Sequence, residues 1–285
     1  MKVAFIILTW NSEKVIKACV KALLGYQILN NQIVVVDNGS SDNTISDLKK
    51  MQKDKKSIHT LEILKLERNV GTTISRNIGV RQVRSADYLC ILDSDTVTEE
   101  KEVIKMISYL QDHPKVGIVG PKMCDSKGEV QLSGRNFPTL IEKIFKACPI
   151  KKLQNKGGSM ETPISGGANC FPVDYLMSAC WLMPFSVWQD IGPLDEKIFY
   201  APEDVDYCMR AWRKGWEVHY MGNAQIFHEW QRISKRKFFS KMNWEHLKGL
   251  VYYFCKYRYW ICAPSFQRDK KVRSGSDEKS KIFYD

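Results

Sequence analysis

The sequence has no apolar run of the roughly 18 residues that a membrane-spanning helix requires. It has no C-x-x-C pair among its nine cysteines, which removes the usual zinc and redox spacings. Most of those cysteines fall instead in apolar stretches, as at Cys19, Cys90 and Cys208, where a thiol acts as a small hydrophobe. Such usage fits a reducing compartment better than a disulfide scaffold. No G-x-G-x-x-G follows a strand pattern, which argues against a dinucleotide oxidoreductase. The chain also lacks internal repeats and low-complexity tracts. The apolar opening run Val3–Leu8 stops at Thr9 with no small-residue cleavage site behind it, so it reads as a first strand, not a secretion signal. A cytoplasmic protein is expected.

What is present is an ordinary globular composition: 285 residues, 44% hydrophobic, 26% charged, with a formal net charge of +11. That charge suggests an anionic partner, but it is unevenly placed. Residues 1–230 carry 29 Lys/Arg against 27 Asp/Glu, whereas 231–273 carry 12 Lys/Arg against two acids. The first 230 residues therefore do not read as a nucleic-acid binder. Three parts follow: a body over 1–230, a basic aromatic-rich helical segment over 231–273, and a polar tail over 274–285.

Strands and helices alternate through the first 120 residues. Strands are expected at Val3–Leu8, Ile33–Val36, Leu61–Leu66, Tyr88–Leu92 and Val116–Val119. Between them lie a helix capped by Ser12, one running through Leu48, one over Thr72–Val83, and one carrying Val103, Ile104, Ile107 and Leu110. This order predicts a mostly parallel sheet covered on both faces. Asp125-Ser126-Lys127-Gly128 reads as a hairpin turn, residues 150–170 as a long Gly/Pro-rich loop, and 203–213 as a helix.

Ligands of open parallel sheets bind beyond the carboxyl ends of the strands. The residues there are Thr9-Trp10-Asn11, Asp37-Asn38-Gly39-Ser40, Glu67-Arg68-Asn69-Val70-Gly71 and Asp93-Ser94-Asp95. Two carboxylates two apart at a strand end can hold a hard divalent cation, which in turn can bridge a diphosphate. Glu203, Asp204 and Asp206 crowd a first helical turn, where acids also simply complement the helix dipole. His228 follows an apolar stretch and its imidazole suits Mn²⁺ as well as Zn²⁺. Each motif alone is commonplace.

In this order they are specific, and the chain resembles the family 2 inverting glycosyltransferases of the GT-A fold, most closely their rhamnosyltransferase-like branch. The matching pieces are Ile6–Asn11, Val34–Thr44, Asn69–Gly71 with Arg76–Gly79, Leu92–Asp95, Val173–Tyr175 with Ser178–Cys180, and Gly192–Glu196 through Glu203–Arg210. The resemblance implies a Rossmann-like, mostly parallel sheet flanked by helices. It implies a UDP- or dTDP-sugar donor held by Thr9, Asn11, Asp37, Asn38, Arg76, Asn77, Asp93 and Ala179. It implies Mn²⁺ or Mg²⁺ on Asp93, Asp95 and His228, and a catalytic acid pair, Glu203 and Asp204, with Asp204 the base. The acceptor would be a glycan or a lipid-linked sugar, as in cell-surface polysaccharide synthesis. The stretch Gly71-Thr72-Thr73-Ile74-Ser75 is more β-branched than the family's usual small-residue run.

A sugar nucleotidyltransferase is the rival enzyme, but it needs a Gly-rich, Arg-containing loop where Thr9-Trp10-Asn11-Ser12 stands. A non-catalytic polyanion- or membrane-binding scaffold is the rival of another class, and the intact Asp93, Asp95 and Asp204 argue against it. The basic segment over 232–262 reads as one or two amphipathic helices ended by Pro264. Its lysines and aromatics suit an anionic membrane surface on the cytoplasmic face. They equally suit a helix packed on the body with its charge in water.

Overall fold

The computed structural model describes residues 1–52, 59–131, 133–162, 169–229 and 241–266. The strands are β1 (Lys2–Thr9), β2 (Asn30–Asp37), β3 (Thr60–Lys65), β4 (Tyr88–Asp93), β5 (Thr96–Val97), β6 (Val116–Cys124), β7 (Val130–Gln131), β8 (Gly134–Arg135), β9 (Cys170–Pro172), β10 (Tyr175–Leu176), β11 (Cys180–Pro184) and β12 (Glu217–His228). The helices are α1 (Ile16–Leu24), α2 (Thr44–Gln52), α3 (Thr72–Val80), α4 (Glu100–Asp112), α5 (Leu140–Ala147), α6 (Lys151–Glu161), α7 (Phe185–Ile191), α8 (Glu203–Arg213) and α9 (Lys241–Tyr257).

The main sheet runs β3-β2-β1-β4-β11-β6-β12-β5. The first four strands are parallel, as the alternating pattern requires. Along β1, Val3, Phe5 and Ile7 enter one core while Ala4 and Ile6 enter the other, so the run is apolar throughout because both faces are covered. β11 then enters antiparallel between β4 and β6, and β12 returns parallel to β6. A small second sheet pairs β8 with β10. No helix among the described residues is long and apolar enough to cross a membrane.

Two expectations need correction. Ser12 does not cap α1 through its side chain: Val15 stands at the N-cap without a side-chain bond. The Ser12 Oγ instead donates to the Trp10 carbonyl and accepts from Ser94 Oγ, drawing it into the loop cluster, so the helix starts at Ile16. The expected loop at 150–170 contains α6. Its glycines cost roughly 1 kcal/mol each in a helix, but Gly157 lets α6 approach α5, where a Cβ would meet Lys146 Cγ at 3.0 Å and the Glu142 carbonyl at 3.1 Å. Glu161 at the end of α6 is then locked by Arg135 (2.6 Å) and Lys146 (2.5 Å).

The C-terminal helix packs on the body. Tyr253, Phe254 and Tyr257 of α9 belong to the main core, at about 2 kcal/mol for a side chain such as Phe254. Within the described residues it is one helix ending at Tyr257, with Arg258 at φ 57°, ahead of Pro264. Residues 231–240 and 267–285, which hold part of the basic segment and the tail, lie outside the described residues.

Candidate active site

Strand register assembles the site. Thr9 is level with Asp37, and Leu8 with Asp93, so three strand ends deliver their polar residues to one rim. The Ala179 carbonyl before β11 accepts the Asp93 N–H at 3.0 Å. β12 ends beside β5, pairing His228 with Thr96. The Glu229 N–H then bonds the Asp95 carbonyl at 3.0 Å, so two segments far apart in sequence meet.

These ends and the start of α8 enclose a cleft of about 300 Å³. Its lining includes Asn38, Arg76, Asp93, Asp95, Ala179, Glu203, Asp204 and His228. Ligand atoms of Asp93, Asp95 and His228 lie within 4.8 Å of one another. Hard carboxylate oxygens with one imidazole nitrogen are a fitting set for Mn²⁺ or Mg²⁺. A further contact supports that fit: His228 Nδ1 lies 2.8 Å from Gln131 Oε1, an acceptor only. That bond uses Nδ1 and turns Nε2 toward the carboxylates, 3.4 Å from Asp95 Oδ1.

Arg76 joins the two acidic clusters. Its side chain is 2% exposed, and it donates to Asp93 Oδ1 (2.7 Å), Glu203 Oε1 (3.1 Å) and the Ser178 carbonyl (3.2 Å). Removing one partner from such a buried pair costs about 3–5 kcal/mol, so its charge is committed to the wall of the cleft. Ser178 Oγ donates a second bond to Glu203 Oε1 at 2.9 Å. Burial and the neighbouring Asp204 nevertheless hold Glu203 well above the usual carboxylate range, against the pull of Arg76. Burial also raises Asp204, while the Arg135 and Arg76 charges draw it back down.

The donor-side residues divide. Thr9 Oγ1 and Asp37 Oδ1 are buried and have no partner among the described residues. Two orphaned polar atoms on adjacent strand ends are costly unless a ligand completes them. Asp37 Oδ2 accepts the Ser40 N–H (3.1 Å), and Asn11, at φ 50°, accepts the Ser41 N–H (2.9 Å). Asn38 braces the loop before α3 through Asn69 and Val70. Asn77 is not brought to the cleft: its amide is used by Leu194 and Glu196, making it a strut between α3 and the segment before α8.

Sequence reasoning gave no role to Gln131 or Arg135, and none at the cleft to the segment that forms α9. Gly249 of α9 abuts the Ala201 carbonyl, immediately before Pro202 and the acid pair. Lys256 lies 2.6 Å from both Asp195 and Asp206, and Tyr257 donates to Asp206 at 2.8 Å. The segment that carries Glu203 and Asp204 is therefore held from behind by α9. No local pattern signals such contacts, because each joins residues some 50 positions apart.

Comparison with known proteins bears on the family and the fold. The poly-beta-1,6-N-acetyl-D-glucosamine synthase of Staphylococcus epidermidis is 27% identical over 211 residues, 73% of this chain. The chain spans about half of that relative, 48% of its length. The N-acetylglucosaminyl-diphospho-decaprenol L-rhamnosyltransferase of Mycobacterium tuberculosis is 23% identical over 244 residues, 81% of this chain and 77% of the relative. Among solved structures, S. aureus TarS in complex with UDP-GlcNAc matches 83% of this chain and 62% of its own, with a TM-score of 0.55 and 18% identity. GalNAc-T7 with UDP, GalNAc and Mn²⁺ matches 89% of this chain and 47% of its own, with a TM-score of 0.64 and 12% identity. The Glycosyl transferase family 2 profile matches residues 4–168, more than half of the sequence. The fold is GT-A, and the chain belongs to glycosyl transferase family 2.

Proposed function

We propose that this protein transfers a sugar, with inversion, from a UDP- or dTDP-sugar to a hydroxyl of a glycan or lipid-linked acceptor, in cell-surface polysaccharide synthesis at the cytoplasmic face of a membrane. The observation that carries the reading is the convergence of Asp93, Asp95 and His228 with Glu203 and Asp204 on one cleft. The named relatives support the acceptor class, since one is a polysaccharide synthase and the other is named for a decaprenol-linked substrate.

In this reading the pyrimidine ring offers its N–H to the orphaned Asp37 Oδ1, beside Thr9 Oγ1. The diphosphate lies at the Asp93–Asp95 end, and Ala179 packs against the donor sugar. Mn²⁺ or Mg²⁺, held by Asp93, Asp95 and His228, supplies the positive charge that stabilises a departing nucleoside diphosphate. Asp204 accepts the proton of the acceptor hydroxyl as that oxygen attacks the anomeric carbon from the face opposite the leaving group. The carbon–oxygen bond to the diphosphate breaks in the same step. Glu203, kept largely protonated by burial and tied to Ser178 and Arg76, positions its neighbour and adds no second full charge beside it.

The test is a screen of nucleotide sugars by thermal shift and donor hydrolysis with Mn²⁺ or Mg²⁺. One UDP- or dTDP-sugar should raise the melting temperature, and the rise should vanish with chelator. Equal response to all nucleotides, or none to any, would refute the donor assignment.

A further inference from the structure

Helix α9 is apolar on two faces. Its inner face, with Tyr253, Phe254 and Tyr257, is buried in the main core. Its outer face places Trp244, Leu247 and Val251 at i, i+3 and i+7, and these remain 59%, 51% and 54% exposed. Beyond the helix the chain doubles back, Trp260 stacks on Phe254 with ring centroids 5.5 Å apart, and Ile261 is left in solvent. Helix α5 lies alongside. The Leu140 N–H donates to the Trp260 carbonyl at 2.8 Å, and Ile144, one turn farther on, is exposed. Lys143 of α5 stands close enough to His246 of α9 to add to the effect of burial in holding its pKa below the ordinary value. The apolar stripe is thus shared by both helices.

The surroundings are basic. Lys248 and Arg258 are exposed on α9 and at its end, and Lys151 and Lys152 are exposed at the start of α6. The nearby acids are matched by lysines: Glu245 pairs with Lys248 at 2.9 Å, which offsets that lysine as well, and buried Glu142 has two partners, Lys143 and Lys146, so Arg258, Lys151 and Lys152 carry the excess charge. A large apolar stripe with two tryptophans and a cationic rim matches an anionic bilayer, where indoles sit at headgroup depth and lysines meet lipid phosphate. A second copy would bring the same positive rim against this one, which opposes self-association through this face.

We propose that the outer face of α9, with the exposed edge of α5, docks on an anionic lipid surface. The inference rests on the reading of a lipid-linked acceptor. It deepens that reading, because the inner face of the same helix holds the segment carrying Glu203 and Asp204 through Gly249, Lys256 and Tyr257. The face that meets lipid and the face that positions the acid pair belong to one rigid element.

Flotation of the full chain with phosphatidylglycerol–phosphatidylcholine vesicles, against phosphatidylcholine alone, tests it. The wild type should float with the anionic vesicles, less so as salt rises. Leu247→Glu and Val251→Glu, both in water-exposed positions, should each reduce binding about tenfold. Lys248→Ala should reduce it less. Wild-type protein that stays at the bottom overturns the proposal. So do stripe variants that float like wild type, which would assign lipid binding to residues outside this face. Concentration-dependent dimers abolished by Leu247→Glu, without flotation, would assign the face to a second copy. Calorimetric titration with UDP distinguishes the two readings: UDP binding without flotation refutes the docking face alone, whereas wild-type protein that ignores UDP refutes the donor site beneath it.

Discussion

The two halves of the cleft are built by different means. On the donor side, Asp93 lines the cleft beside Leu8, and Thr9 and Asp37, which are outside its lining, stand level at the ends of the neighbouring parallel strands, so register alone places all three. On the acid-pair side, Glu203 and Asp204 sit at the start of α8, after a segment with no regular structure, and their place is fixed by contacts from α3 and α9, with the charge of Arg135 on β8 acting on Asp204. The first half is a product of the sheet. The second is a product of packing between distant parts of the chain, and small changes far from the cleft should reach it more easily.

The sharpest break in that comparison comes from Asp95→Ala, which should weaken donor binding by about 10- to 100-fold in metal-containing buffer. Calorimetry with and without chelator checks it, and equal affinities in both buffers would remove the metal assignment. Gly249→Ala should act on the other half only. The added Cβ collides with the Ala201 carbonyl, so kcat should fall about tenfold, the cost of a small misplacement of reacting groups, while the Kd for UDP stays within twofold. A parallel fall in both would mean that α9 supports the whole fold and not the acid pair.

Arg135→Gln bears on the charge around the base. The Arg135 charge draws the Asp204 pKa down against burial. Without it that pKa rises, and a base must be ionised to act, so activity is present above the pKa and lost as pH falls through it. The acid limb of the pH–rate profile should therefore move to higher pH, and Arg135→Lys should restore most of its position. A limb that does not move would disconnect Arg135 from the base. The smallest expected effect is a gain: Gly158 in α6 has nothing within 4 Å of its missing Cβ, so Gly158→Ala should stabilise the protein by about 0.5–1 kcal/mol in denaturant titrations. No gain would argue that α6 is not helical at that point.

The same division explains what could be read from sequence. The parallel strands, the turn at Asp125–Gly128 and the helix at 203–213 carry their own periodicity and punctuation, and they stand close to where the pattern puts them. Apolar alternation reports which face is buried but not the neighbour, so Cys180–Pro184 gave no sign of running antiparallel between β4 and β6. The glycines of α6 read as a loop because the partner that needs Gly157 is another helix. Arg76 was visible as a motif residue, yet its bond to Glu203 spans 127 positions. Gln131, which orients His228 from 97 positions away, had no signal at all.

The account stands most directly on Asp204. Transfer and UDP binding should be measured side by side for Asp204→Asn, with the amide keeping the size of the carboxylate. Loss of the general base should lower transfer by roughly three orders of magnitude, with UDP affinity within twofold of wild type. Transfer near the wild-type rate would contradict the claim that this side of the cleft supplies the base.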